Sequence, residues 1–225
     1  MLTTVFVYST MEQEPARNNR GASLQWMVNT YAPVSFPDGC WLMADDRRKE
    51  DAVLSMLKEL AGHQGLDGDL FELRKHETGK PYGVIGDRTI GVSISHCRSM
   101  LLCGLHAGGE IGIDVEPDKR RVHPRLLERI RHPEEPSGLP DDLCCIRMWT
   151  IKEAALKYMG TGLRMAMNKI RLEMTGEHQF AAFMEPGDFS FSIPVSSFPF
   201  RDHWIAVATG TNGAYRDGQK PSTRA

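Results

Sequence analysis

The sequence predicts a mixed α/β (α+β) protein, and three observations carry that expectation. Apolar and polar residues alternate with period two over 92–96 and again over 111–116, the pattern of strands. Ala52, Val53, Leu54, Met56, Leu57 and Leu60 recur at helical spacing and draw an apolar stripe along a helix at 45–60. A second, longer helix is predicted over 140–159, with Pro140 suited to its first turn and Gly160 to its stop.

The remaining elements follow in chain order. Val5 and Val7 open the chain as a short strand, and 12–21 reads as a polar loop. Asp45 or Asp46 is placed to cap the first helix. Arg47, Arg48 and Lys49 gain nothing from the dipole at that end, so they are either solvated or matched to an anion. A strand at 70–74 leads into Gly79-Lys80-Pro81. That triplet is a turn presenting one lysine and not a phosphate loop, because Arg74 stands where the loop needs glycine and Pro81 where it needs Ser or Thr. His96 ends the strand at 92–96, and 101–105 returns as the next. Cys97 beside His96 cannot easily pair with it, since neighbours on an extended chain point apart. A short helix at 124–130 carries Arg125 and Arg129 four apart, and strands are expected near 169–174, 189–193 and 204–209. The tail at 212–225 is polar and Gly-rich, and is expected to be disordered.

A length of 225 residues allows one large domain or two small ones. The 27 Lys plus Arg against 29 Asp plus Glu leave a net charge of −2, which argues against nucleic acid as a partner, so any phosphate site must be local. Five cysteines, an odd number without C-x-x-C spacing, argue against a disulfide framework or a zinc site and fit a reducing compartment. With neither a secretory leader nor a long apolar run, the expected location is the cytoplasm, away from any membrane.

The chemistry centres on Ile111-Gly112-Ile113-Asp114-Val115-Glu116. On a strand the two carboxylates share one face, roughly 7 Å apart, while the β-branched residues pack on the other. Like charges so close call for a cation or a shared proton, and oxygen ligands at this spacing suit Mg²⁺. A solvent-facing acidic strand edge would have the same pattern. On the long helix Trp149, Glu153 and Lys157 fall at i, i+4 and i+8 and share one stripe, which can be a site wall or a surface Glu–Lys pair.

The Gly112–Glu116 segment followed by Trp149-Thr150-Ile151-Lys152-Glu153-Ala154-Ala155-Leu156-Lys157 resembles the signature of the 4′-phosphopantetheinyl transferases. Gly79-Lys80-Pro81 and Ile94-Ser95-His96 resemble the family's G-K-P turn and strand-end S-H, and Lys49-Glu50-Asp51-Ala52 resembles the start of the first long helix in its larger, surfactin-type members. The resemblance covers about 47–163. It implies two similar halves related by a pseudo-twofold, each a small, mostly antiparallel sheet with a long helix, in a monomer. The expected division is 1–109 for the nucleotide end of coenzyme A, 110–211 for the metal and the catalytic helix, and 212–225 for the tail.

The implied activity is Mg²⁺-dependent transfer of the phosphopantetheine arm of coenzyme A to a serine of an apo carrier protein, releasing adenosine 3′,5′-bisphosphate. Asp114, Glu116 and Glu153 would hold the metal, and Lys157 would reach a phosphate oxygen. Lys80, Ser95 and His96, with Arg47, Arg48, Ser55 and Lys152, would bind coenzyme A. Glu153 and Glu134 are both open as acceptors of the serine proton. The chain departs from the pattern where lysines would precede the first helix (39–42 read Gly-Cys-Trp-Leu) and where Leu54 and Ser55 replace a helix arginine. Lys119, Arg120, Arg121, Arg125, Arg129 and Arg131 form a basic patch suited to an acidic carrier. A different metal-dependent phosphotransferase or nuclease, or a silent carrier-binding protein, are the alternatives.

Overall fold

The computed structural model describes residues 34–35, 40–45, 50–135, 143–184 and 191–211. The expected opening strand at Val5 and Val7, the 12–21 loop, Arg47, Arg48, Pro140 and the tail lie outside them. Two antiparallel sheets organise the chain. The first contains β1 (Val34–Ser35), β2 (Cys40–Asp45), β3 (Glu72–Lys75), β4 (Pro81–Ile85), β5 (Arg88–His96) and β6 (Leu101–His106), in the order β1-β2-β6-β5-β4-β3. The second contains β7 (Gly109–Pro117), β8 (Ile170–Gly176), β9 (Gln179–Met184), β10 (Phe191–Phe200) and β11 (His203–Thr211), in the order β7-β11-β10-β9-β8.

Each sheet carries one long helix. Helix α1 (Glu50–His63) follows β2 and buries Ala52, Met56, Leu57 and Leu60 against Ile90, Val92, Cys103 and Leu105 of the first sheet. The short α2 is Leu126–Ile130, and α3 (Cys145–Met159) follows β7 and packs Met148, Ile151, Ala155 and Leu156 into a core with Ile170, Phe180, Ile193 and Val195. A strand, a helix, then four strands, with the last strand returning beside the first, is thus the plan of both halves. A third cluster joins them: Ile111, Ile113 and Val115 from one face of β7 meet Cys97, Met100 and Leu102 of the first half, along with Ile205 and Val207.

Several expected boundaries move. Asp45 ends a strand instead of capping α1, which starts at Glu50, because Cys40–Asp45 pairs with β6 over six residues. Leu70 lies in a 3₁₀ turn capped by Asp67, and the strand expected at 70–74 starts at Glu72. Helix α3 begins at Cys145, where the Cys144 sulfur accepts from the Arg147 amide. Its end is as expected: Gly160 adopts the left-handed conformation, φ 71°, that terminates helices. Strands β1, β2, β4 and β9 have no counterpart in the sequence reading.

Candidate functional site

The site lies where β7 is wedged between β5 and α3. Strand β7 is an edge of its sheet, and its outward amides need acceptors. Ser93 and Ser95, two apart on β5, supply them: Ser93 Oγ accepts from Ile113 N at 3.0 Å and Ser95 Oγ from Val115 N at 3.3 Å. On the other face of β7 the backbone of α3 passes so close to Gly112 that a Cβ there would collide with the Ala154 carbonyl oxygen and the Tyr158 amide nitrogen. Glycine at 112 therefore lets the helix approach, and the approach brings Glu153 and Lys157 to Asp114.

Asp114 is 5% exposed, which excludes the solvent-facing edge that the sequence left open. Its Oδ1 accepts from Ser95 Oγ at 2.7 Å and from Lys157 Nζ at 2.9 Å. Lys157 Nζ also donates to Ser95 Oγ at 2.9 Å, so Ser95 gives its one proton and receives two. Ser95 is a saturated bracket inside the site and has no proton left for a substrate. Asp114 Oδ2 and Glu153 Oε2, by contrast, are buried without a hydrogen-bond partner. Buried acceptors left open in this way are costly and call for an explanation.

Glu116 forms an ion pair with Arg120, whose guanidinium stands 5.6 Å over the Trp149 ring. Burial pushes the Glu116 carboxyl above its ordinary range, and nearby Asp114 and Glu153 push the same way against Arg120 and Lys157. Glu153 is raised as well, by burial first and then by Asp114, with Lys157 opposing. The three carboxylates thus feel one another as like charges. Among the described residues no three His, Cys, Asp or Glu side chains already form a cage for an ion. Two open buried oxygens, with the Glu116 carboxylate nearby, nevertheless make an all-oxygen donor set that fits a hard divalent ion.

A cleft of about 270 Å³ opens beside this cluster, walled by the 78–81 turn and Ser93 from the first half and by Glu153, Lys157 and Gly160 from the second. The matched half was the one with the two strongest motifs. Residues 110–208 match the 4′-phosphopantetheinyl transferase superfamily. The chain is also 30% identical over 149 residues to the 4′-phosphopantetheinyl transferase HetI of Nostoc sp. (strain PCC 7120 / SAG 25.82 / UTEX 2576), a match covering 58% of this chain and 59% of that protein. Two antiparallel sheets with a long helix each agree with the two-half fold that the resemblance implied.

Other candidates of the superfamily reading occupy different places. Lys152 is fully buried, with Nζ donating to the Ile130 and Ile170 carbonyls at 2.7 Å each and paired with Glu135 at 2.9 Å. It ties α2 and β8 to α3 from the interior, which removes it from the coenzyme-contacting set. Burial pulls its ammonium down, and Glu135 opposes this. Glu134 has a side chain 73% exposed, 3.6 Å from Arg171, and has no described bond to the carboxylate cluster. Its neighbour Glu135, unremarked in the sequence, is the buried one and also accepts from the His132 and Leu172 amides. Ser55 is exposed on α1, and His96 is exposed at the end of β5. Lys80 turns to Glu110 Oε2 at 2.5 Å and to the Tyr158 carbonyl. Arg147 also escaped the sequence reading. It is buried, donates to the Ser197 and Glu177 carbonyls and stacks between Phe180 and Trp204. An isolated arginine at a helix start has no sequence mark that would reveal this.

Proposed function

We propose that this protein transfers the 4′-phosphopantetheine arm of coenzyme A to a serine of an apo acyl or peptidyl carrier protein. The observation that carries the reading is the pair of open buried oxygens, Asp114 Oδ2 and Glu153 Oε2, beside the Lys157 ammonium at the cleft. Asp114, Glu116 and Glu153 would hold Mg²⁺, which neutralises diphosphate charge when bound. Lys157 has two of its protons on Ser95 and Asp114 and keeps a third for a phosphate oxygen. The cleft is below the size of most whole-ligand pockets, so it receives the diphosphate end while the rest of coenzyme A lies outside. The serine oxygen attacks the phosphorus bearing pantetheine. The phosphorus–oxygen bond to adenosine 3′,5′-bisphosphate breaks, and that group leaves with the bonding electrons. Glu153 takes the serine proton: it lines the cleft beside Lys157, whereas Glu134 is exposed and has no described bond to the cluster.

The reading has the first half, to about residue 109, receiving the nucleotide end and the second half carrying the charge. It also makes the protein a cytoplasmic monomer. Cys97, Cys103, Cys144 and Cys145 are outside any disulfide, and no described helix is long and apolar enough to cross a membrane. Incubation with coenzyme A, Mg²⁺ and an apo carrier, followed by mass spectrometry, tests the activity. The carrier should gain one phosphopantetheine, and Asp114→Ala should leave less than about a tenth of that rate while the circular-dichroism spectrum is kept. An unmodified carrier would refute the transfer, and an active Asp114→Ala with unchanged Mg²⁺ dependence would refute the metal assignment.

A further inference from the structure

The Lys80 side chain bridges the two halves. Lys80 belongs to the 78–81 turn of the first half, where its carbonyl accepts from the His76 amide, yet both described hydrogen bonds of its side chain go to the second half. Its ammonium reaches Glu110 Oε2 at 2.5 Å, at the start of β7, and the carbonyl of Tyr158 in the last turn of α3. A cation at the C-terminus of a helix satisfies carbonyls that the helix cannot, and meets the negative end of its dipole. The same ammonium stands 5.7 Å over the Tyr158 ring.

The stem of Lys80 is also fitted to the helix end. A Cβ on Gly160 would come within 3.0 Å of Lys80 Cδ, so glycine leaves room for the methylenes to lie against the terminus. Lys80 is 12% exposed along its side chain, as expected of a stem packed between halves. A second bond crosses at the same place, from Arg164 to the Thr78 carbonyl at 3.3 Å. Tyr158 directly follows Lys157, and Glu153 lies on the same rigid helix. Whatever fixes the end of α3 against the 78–81 turn therefore fixes how far these two side chains reach across Gly112 toward Asp114.

We propose that Lys80 and Glu110 form a latch that sets the position of α3, so that Lys80 acts as a positioning residue for Glu153 and Lys157 and not as a grip on coenzyme A. The kinetic arm of the test rests on the proposed transfer, and the melting arm does not. Lys80→Met removes the charge and keeps the stem; Glu110→Gln removes the partner, which lies outside the cleft wall. A latch predicts that each lowers kcat about tenfold and leaves the KM for coenzyme A within about twofold, since a displaced helix weakens the transition state more than binding. Thermal melts of both singles and the double should be coupled, the double falling no further than the worse single. A raised coenzyme A KM in Lys80→Met alone, with Glu110→Gln silent, would make Lys80 a ligand and overturn the latch. Lowered melting temperatures with kcat intact, or strictly additive ones, would overturn it too. If the wild-type protein moved no phosphopantetheine, the transfer would fail and the melting cycle would still decide the latch.

Discussion

Replacing Gly112 with alanine adds a single methyl group, and the structure says where it would go. The new carbon would fall 2.8 Å from Tyr158 Cα and closer than 2.5 Å to the Ala154 carbonyl oxygen and the Tyr158 amide nitrogen. All three are helix backbone, which cannot swing aside as a side-chain end could. Restoring ordinary contact at about 3.4 Å moves α3 away from β7 by about 1 Å. Carried to the helix side chains, that shift lengthens the 2.9 Å contact between Lys157 Nζ and Asp114 Oδ1 to about 3.9 Å, beyond hydrogen-bonding range. Overpacking of this kind costs about 1–3 kcal/mol, and for a chain of this size each kcal/mol lowers the melting temperature by about 2–4 °C. Misplacing catalytic groups by about 1 Å can cost on the order of 100-fold in rate. Differential scanning calorimetry and the carrier mass assay read the two effects separately. A Gly112→Ala protein that melts within about 1 °C of wild type and turns over within about twofold would refute the close-approach argument.

Glu153→Gln tests both the base and the strain of its burial. The folded carboxyl is raised, so its protonated form is favoured by folding; that contribution is present below the ordinary carboxylate range and is lost as pH rises through the raised value. Metal-free Glu153→Gln should therefore melt higher than wild type at neutral pH, with a flatter fall as pH rises from the ordinary carboxylate range, and should transfer far more slowly; an unchanged pH profile in chelator would contradict the burial argument. The basic patch offers a test of the partner. Arg125 and Arg129 are exposed, while Ile130 is buried and Leu126 and Leu127 pack on the core, so α2 turns its charges outward. The double reversal Arg125→Glu with Arg129→Glu should raise the carrier KM several-fold and flatten its salt dependence without moving the coenzyme A KM; equal losses for both substrates, or none, would show that the carrier docks elsewhere.

What the sequence made legible was periodic or punctuated. The alternation around Asp114 and Glu116 correctly placed both carboxylates on one face and the β-branched residues on the other, because period two leaves a strand no choice. Helical spacing likewise put Trp149, Glu153 and Lys157 on one half-buried stripe, and Gly160 ended the helix. What stayed hidden depended on partners far along the chain. Ser95 could be singled out but not understood, since its bonds reach residues 19, 20 and 62 positions away. Lys152 adjoins Glu153 in sequence, yet one residue on a helix turns a side chain by about 100°, here from the cleft into the core. Asp45 had the chemistry of a cap, and its pairing with Leu101 overrode it.

The shared plan of the two halves has a consequence for how many sites one chain can own. Counted from the first pair of the closing strand, Asp114 and Glu116 stand opposite Ala206 and Trp204, and the corresponding places in β2 stand opposite Gly104 and Leu102. Those places hold Leu42 and Ala44. The scaffold is doubled and the acidic pair is not. One copy keeps the charges, and the other contributes the opposite wall of the cleft through its 78–81 turn. On the proposed reading, two frames with one such acidic pair among the described residues predict one bound coenzyme. Both walls of the described cleft come from the one chain, so on the proposed reading dilution would not separate them.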